Sequence, residues 1–177
     1  VIAAIDNTFL TLLLNPKAEP RPNPATGKPI DHCRERVEGL IDEISSQGDT
    51  LIIPCPAFAE ALCSDSAAEA YFEMLQDYGA IELAPFNARA AYELGRTIRT
   101  AIADGDKRSG ETGAWQHVKM DRQIVAIAVA HDADIFYSDD TRQRNFAEMA
   151  GLRVKSTWDL PLSGKRAQAE INFGDGN

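Results

Sequence analysis

The chain opens Val1-Ile2-Ala3-Ala4-Ile5-Asp6-Asn7-Thr8-Phe9-Leu10-Thr11-Leu12-Leu13-Leu14-Asn15-Pro16, and the reading of this stretch decides the fold. Ile2–Ile5 is apolar throughout, which fits a strand buried on both faces rather than one with a solvent side. It is too short for a signal-peptide core, and an acid follows it at once. From Asn7 onward, Phe9, Leu10, Leu13 and Leu14 recur at helical spacing, so a helix follows and stops at Asn15-Pro16. The opening therefore predicts a buried strand with Asp6 at its carboxyl end and a helix behind it.

The same grammar repeats outward from this start. Leu51-Ile52-Ile53, Ile81–Leu83, Ile135–Tyr137 and Leu152-Arg153-Val154 read as further short strands. Helices are expected from an Asp31 cap to about Ser46, from Ala57 through Glu60, over 67–78, from an Asn87 cap to Ala103, over Val118–His131 and over Thr141–Met149. Strands alternating with helices predict a three-layer α/β/α domain over residues 1–160, with a central, mainly parallel sheet of about four to five strands. Residues 16–30 hold five prolines (Pro16, Pro20, Pro22, Pro24, Pro29) and form a long surface loop; residues 161–177 read as a polar tail. No internal repeat or second domain is evident.

Of the 177 residues, 44% are hydrophobic and 25% charged, the balance of a globular domain with a real core. No apolar run is long enough to cross a membrane, and the expected location is the cytoplasm. Cys33, Cys55 and Cys63, an odd number without CxxC spacing, argue against a disulfide framework or a zinc knuckle and for buried or partly buried free thiols. The formal charge of −9 argues against tight non-specific DNA binding. The excess is uneven: residues 1–100 hold 15 of the 27 acids but only 8 of the 18 bases.

In open α/β sheets, ligands bind outside the carboxyl ends of the strands. Asp6, Asp139 and Asp140 directly follow strands, Glu60 lies on the helix after the second strand, and Asp121 is expected in the first turn of a buried helix. Singly, each acid has a plain structural reading. Asp6 can be a helix cap, Asp139 or Asp140 a turn residue capping the next helix, Glu60 can be solvated, and Asp121 can offset a helix dipole. Together, four carboxylates at one sheet edge would repel one another unless a positive charge sat among them. Oxygen donors of this kind suit Mg²⁺ or Mn²⁺, and such a site can hydrolyse a phosphodiester. The chain has no phosphate-cradling glycine motif and no GxSxG elbow, and His32, His117 and His131 lack metal-ligand spacing.

At this point the chain resembles the PIN domains, including the VapC-type toxins of bacterial toxin–antitoxin pairs, over roughly residues 1–160. The resemblance is carried by Ile5-Asp6-Asn7-Thr8-Phe9-Leu10, by Pro56-Ala57-Phe58-Ala59-Glu60-Ala61-Leu62, by Asp121-Arg122-Gln123-Ile124-Val125-Ala126-Ile127-Ala128, and by Ser138-Asp139-Asp140 with Asn145-Phe146 and Gly151-Leu152-Arg153-Val154. It implies a metal-dependent endoribonuclease in which Asp6, Glu60, Asp121 and Asp140 hold Mg²⁺ or Mn²⁺ and Thr8 steadies the first carboxylate. It also selects Asp140 over Asp139 as the fourth acid, with Asp139 in support. RNA contacts are expected from Lys119, Arg122, Arg142 and Arg144, with Lys107 and Arg108 as further candidates. The implied partners are RNA, a small antitoxin and a second copy of the chain.

Three other classes share parts of this pattern. A structure-specific DNA nuclease of the flap type would bring a helical arch, which is not evident. A phosphotransfer domain of the dehalogenase or receiver type would want Asp-x-Asp, where Thr8 stands, or a late lysine. A non-catalytic PIN-like binding module would be expected to have lost one or more of the four acids.

Overall fold

β1 (Ile2–Ile5) lies at the centre of a five-stranded sheet with β2 (Thr50–Pro54) on one side and β4 (Ile135–Tyr137) on the other. β3 (Ile81–Ala84) and β5 (Arg153–Lys155) form the edges, giving the order β3-β2-β1-β4-β5 with every pairing parallel. The computed structural model describes residues 1–162 except 16, 64–72, 74 and 76–78. The helix expected over 67–78 falls almost wholly outside the described residues, as does the tail from 163 onward.

Alternation along the strands divides the interior into two cores, as a sheet covered on both faces requires. Ala3, Ile5, Leu51, Ile53, Ile135 and Tyr137 point to one side, where α1 (Asn7–Leu14), α2 (Cys33–Gln47) and Phe58 of α3 (Cys55–Cys63) cover them. Ala4, Ile52 and Phe136 point to the other, against α4 (Ala88–Ala103), α5 (Trp115–Ala130) and α6 (Thr141–Met149). The edge strands are less apolar: Glu82, Arg153 and Lys155 are exposed, and charge at an edge discourages pairing with another sheet.

Most of the expected elements are present, and three details differ. α2 begins at Cys33, so its cap is His32 in a left-handed conformation (φ 59°) and not Asp31. The backbone carbonyl of Asp31 accepts from Arg36 Nε instead. α5 begins at Trp115, three residues before the expected Val118. Asp121 is therefore the seventh residue of the helix and not in its first turn, so the dipole reading of that acid fails. Of the three cysteines, Cys33 is buried, but Cys63 is exposed rather than tucked into the core. Among the described residues no helix is long and apolar enough to cross a membrane.

The strand order explains where a site can form. From β1 the chain moves to β2 and β3 on one side, then returns to β4 and β5 on the other, so the order reverses between β1 and β4. Neighbouring connections leave the sheet in opposite directions there and open a crevice above the strand ends. The wall of that crevice is set by the packing of α1 on β1, with Phe9 fully buried and its ring 5.6 Å from that of Tyr137. Phe9→Ala is expected to lower unfolding free energy by about 3–5 kcal/mol in urea titrations. Tyr92→Ala, at a position 67% exposed, is expected to leave it within about 0.5 kcal/mol.

Candidate active site

Asp6 ends β1 and caps α1 in the same act. Its Oδ1 accepts the Thr8 and Phe9 backbone N–H groups at 2.9 and 3.2 Å, and the Thr8 hydroxyl at 2.6 Å. Its Oδ2 accepts the Ser138 hydroxyl from the end of β4. Both hydroxyls are themselves held by the loop after β4: Asp139 N–H donates to Thr8 Oγ1 at 3.0 Å and Asp140 N–H to Ser138 Oγ at 2.9 Å. Two backbone amides thus orient two hydroxyls, which orient one carboxylate. Asp6 is only 1% exposed, and burial pushes its carboxyl up to about 6 against the hydrogen bonds from Ser138, Thr8 and Phe9.

Asp121 reaches the same place from α5. Its Oδ1 accepts from Gln143 Nε2 at 2.9 Å, and its Oδ2 is ion-paired with Arg142 Nε, both partners lying in the first turn of α6. Burial pushes this carboxyl to about 6 as well, with Arg142 pulling it down and Asp140 and Glu60 pushing it up. Asp140 caps α6, its Oδ1 accepting from Arg142 and Gln143 N–H, and its Oδ2 lies 2.8 Å from Arg21 Nη1. Glu60 of α3 is half-buried, and burial raises its carboxyl while His117 and Arg142 oppose the rise.

Asp6, Glu60, Asp121 and Asp140 line a single cleft of about 220 Å³, together with Asn7, Thr8, Arg21, His117, Arg142 and Gln143. The structure thus brings together the four acids expected from the sequence, drawn from four segments of the chain. Asp139 does not join them. Its carboxylate is buried against Thr157, taking the backbone N–H and the hydroxyl at 2.8 Å each, which ties the end of β4 to the 3-10 turn Thr157–Asp159.

The expected cations take several different positions. Arg142 lines the cleft but pairs with Asp121. Arg122 is 4% exposed, stacks over Phe146 at 4.5 Å and donates to Ser109 Oγ at 2.7 Å, so it pins the 104–114 loop and cannot reach a phosphate in the cleft. Arg144 lies over Trp158, Lys107 over Trp115, and Lys119 is exposed on α5; none of these, nor Arg108, lines the cleft. An arginine stacked on a ring or bonded to a loop is indistinguishable in sequence from a solvated one.

Sequence reasoning missed Ser138, Gln143, His117 and Arg21 as site residues. Ser138 had a signal, since it stands where a strand end meets the acid pair. Arg21 had none beyond its place in the proline-rich loop.

Carboxylate oxygens are hard donors, and Gln143 Oε1 adds a buried amide oxygen with no hydrogen-bond partner in the structure. The donor set therefore fits Mg²⁺ or Mn²⁺. Among the described residues, no three acidic, imidazole or thiol groups already converge as a ready-made metal cage. Arg21 and Arg142 instead neutralise two of the four acids.

No family model matches the sequence, and no curated protein matches it. Solved structures do match. VapBC2 from Rickettsia felis, bound to a DNA fragment from its promoter, aligns with a TM-score of 0.56 at 13% identity, over 88% of this chain and 98% of that one. VapBC-1 from nontypeable Haemophilus influenzae and DNA-bound VapBC from Salmonella typhimurium each align with a TM-score of 0.54 at 13% identity, over 89% of this chain and 99% and 98% of theirs. The fold is thus the PIN-like α/β/α fold.

Two outcomes test the electrostatics. A carboxyl raised from about 3.9 in the unfolded chain to about 6 in the fold stabilises the fold below pH 4, and that stability is lost as pH rises through 6. Asp6 alone accounts for up to about 3 kcal/mol. The metal-free protein is therefore expected to melt at a higher temperature at pH 5 than at pH 7.5, with Mn²⁺ restoring the difference at pH 7.5 only. Second, Asp139→Asn is expected to lower the melting temperature while leaving Mn²⁺ affinity unchanged in calorimetry, and Asp140→Asn to weaken Mn²⁺ binding.

Proposed function

We propose that this chain is a divalent-metal-dependent endoribonuclease and the toxin of a toxin–antitoxin pair. The observation that carries the reading is the convergence of Asp6, Glu60, Asp121 and Asp140 on one cleft at the point where the strand order reverses. The choice of RNA over DNA follows from what the resemblance of the four acidic motifs to the VapC-type toxins implies.

In this reading Asp6 and Asp121 are the principal metal ligands. Mg²⁺ or Mn²⁺ bound there would supply an activated water and neutralise charge on the scissile phosphate. Asp6 cannot turn away, because Thr8 and Ser138 grip both of its oxygens. Gln143 sets the angle of Asp121 through Oδ1 and leaves Oδ2 toward Arg142. Glu60, with its raised carboxyl, would accept a proton from the attacking water, and Asp140 keeps one oxygen for the cleft while the other caps α6.

The VapBC assemblies support a small antitoxin as partner; in this reading it would dock on the apolar surface and place a basic side chain among the acids. A homodimer that forms a shared groove would offset the weak basic footprint of one copy.

Cleavage of a mixed RNA pool and of matching single-stranded DNA, in Mg²⁺, Mn²⁺ and EDTA, tests the proposal. RNA cutting is expected in metal alone, abolished in Asp6→Asn and Asp121→Asn and slowed about 10–100-fold in Ser138→Ala, whose effect is on the orientation of a ligand. Cutting of DNA alone would move the assignment to a structure-specific DNA nuclease. A folded protein that neither cuts nor binds Mn²⁺ would end the enzyme reading.

A further inference from the structure

Arg21 sits in Glu19-Pro20-Arg21-Pro22, and the proline that follows it holds its backbone extended. The segment is fastened on its N-terminal side and closed into a local turn on the other. Asn15 takes the Lys17 N–H on its side chain and the Ala18 N–H on its carbonyl, and Ala18 packs on the core. Beyond it, Asn23 closes a turn to Lys28, receiving the Ala25 N–H on Oδ1 and the Thr26 and Gly27 N–H groups on its carbonyl. The loop thus carries the Arg21 guanidinium to the acidic cleft.

There Nη1 of Arg21 lies 2.8 Å from Asp140 Oδ2, while Asp140 Oδ1 is committed to the α6 cap. The Arg21 side chain remains 54% exposed. It also stands at a junction: a second cleft of about 250 Å³, reaching Thr11, Leu12 and Glu19, shares Asn7, Thr8 and Arg21 with the acidic one. A chain of phosphates crossing from one cleft to the other would pass this guanidinium. Its planar fork of donors matches phosphate oxygens.

We propose that Arg21 is a substrate-positioning residue, held on Asp140 until a divalent cation takes Oδ2 and then turned to a phosphate of the RNA backbone beside the cut bond. This rests on the nuclease reading above. A cation and Arg21 compete for the same oxygen, so loading the site and freeing the phosphate contact are one event.

The test compares wild type, Arg21→Ala and Arg21→Lys, each checked for an unchanged melting temperature. Calorimetric titration with Mn²⁺ alone is expected to show binding about threefold tighter in Arg21→Ala, because the competitor is gone. With single-stranded RNA, KM is expected to rise about tenfold in Arg21→Ala with kcat within about twofold, the loss of one charge-assisted hydrogen bond. Arg21→Lys should recover part of the KM. A wild type that cuts RNA, with an Arg21→Ala variant of unchanged KM, overturns the assignment and leaves Arg21 a counter-ion for Asp140. Weaker Mn²⁺ binding in Arg21→Ala overturns the competition. A wild type that cuts no RNA removes the nuclease reading itself, a failure told apart by the wild-type lane alone.

Discussion

Everything at the carboxyl edge of this sheet depends on holding four carboxylates together in a place that water reaches poorly. Burial raises the proton affinity of these carboxyls, and neighbouring like charges add to it. The fold manages this at three levels. Hydroxyls and backbone amides absorb the charge of Asp6, two helix N-termini take Asp6 and Asp140 as caps, and Arg21 and Arg142 stand against Asp140 and Asp121. Even so, Asp6 and Asp121 titrate near 6. In the metal-dependent reading proposed above, a divalent cation would relieve that strain and so link folding, pH and metal in one equilibrium.

Two of these acids, Asp6 and Asp140, cap helices with the same carboxylates that the proposed reading assigns to the metal. Asp6 caps α1 with Oδ1, and that cap immobilises the carboxylate whose other oxygen answers to Ser138. Asp140 caps α6 and so keeps only Oδ2 for the cleft. A helix cap is a cheap way to orient a ligand, since the amides that need a partner are already rigid. Asp139 shows the contrast: one residue earlier, its side chain turns to Thr157 and braces the end of the sheet.

The fold was largely legible in the sequence because its cues are local. Apolar runs such as Ile2–Ile5 and Ile135–Tyr137, and caps such as Asn87, mark strands and helices through neighbours a few residues apart. The errors also have local causes. His32 took the cap expected of Asp31 through a left-handed backbone that no propensity foretells, and α5 gained a turn from Trp115. The four acids were legible because each stands beside a strand end or on a helix that packs against one.

What the sequence determined by itself is the parallel α/β architecture and the set of carboxylates carried to one edge of it, since both follow from periodicity and strand ends. What only the tertiary structure decided is the charge balance of that edge. Arg122 was drawn into Phe146 and Ser109, while Arg142 and Arg21 came to the acids, Arg21 from a loop about 120 residues away in sequence from Asp140. An arginine's long side chain can stack on a ring, bridge a loop or meet a carboxylate at similar cost. Only the packing around it determines which partner it meets.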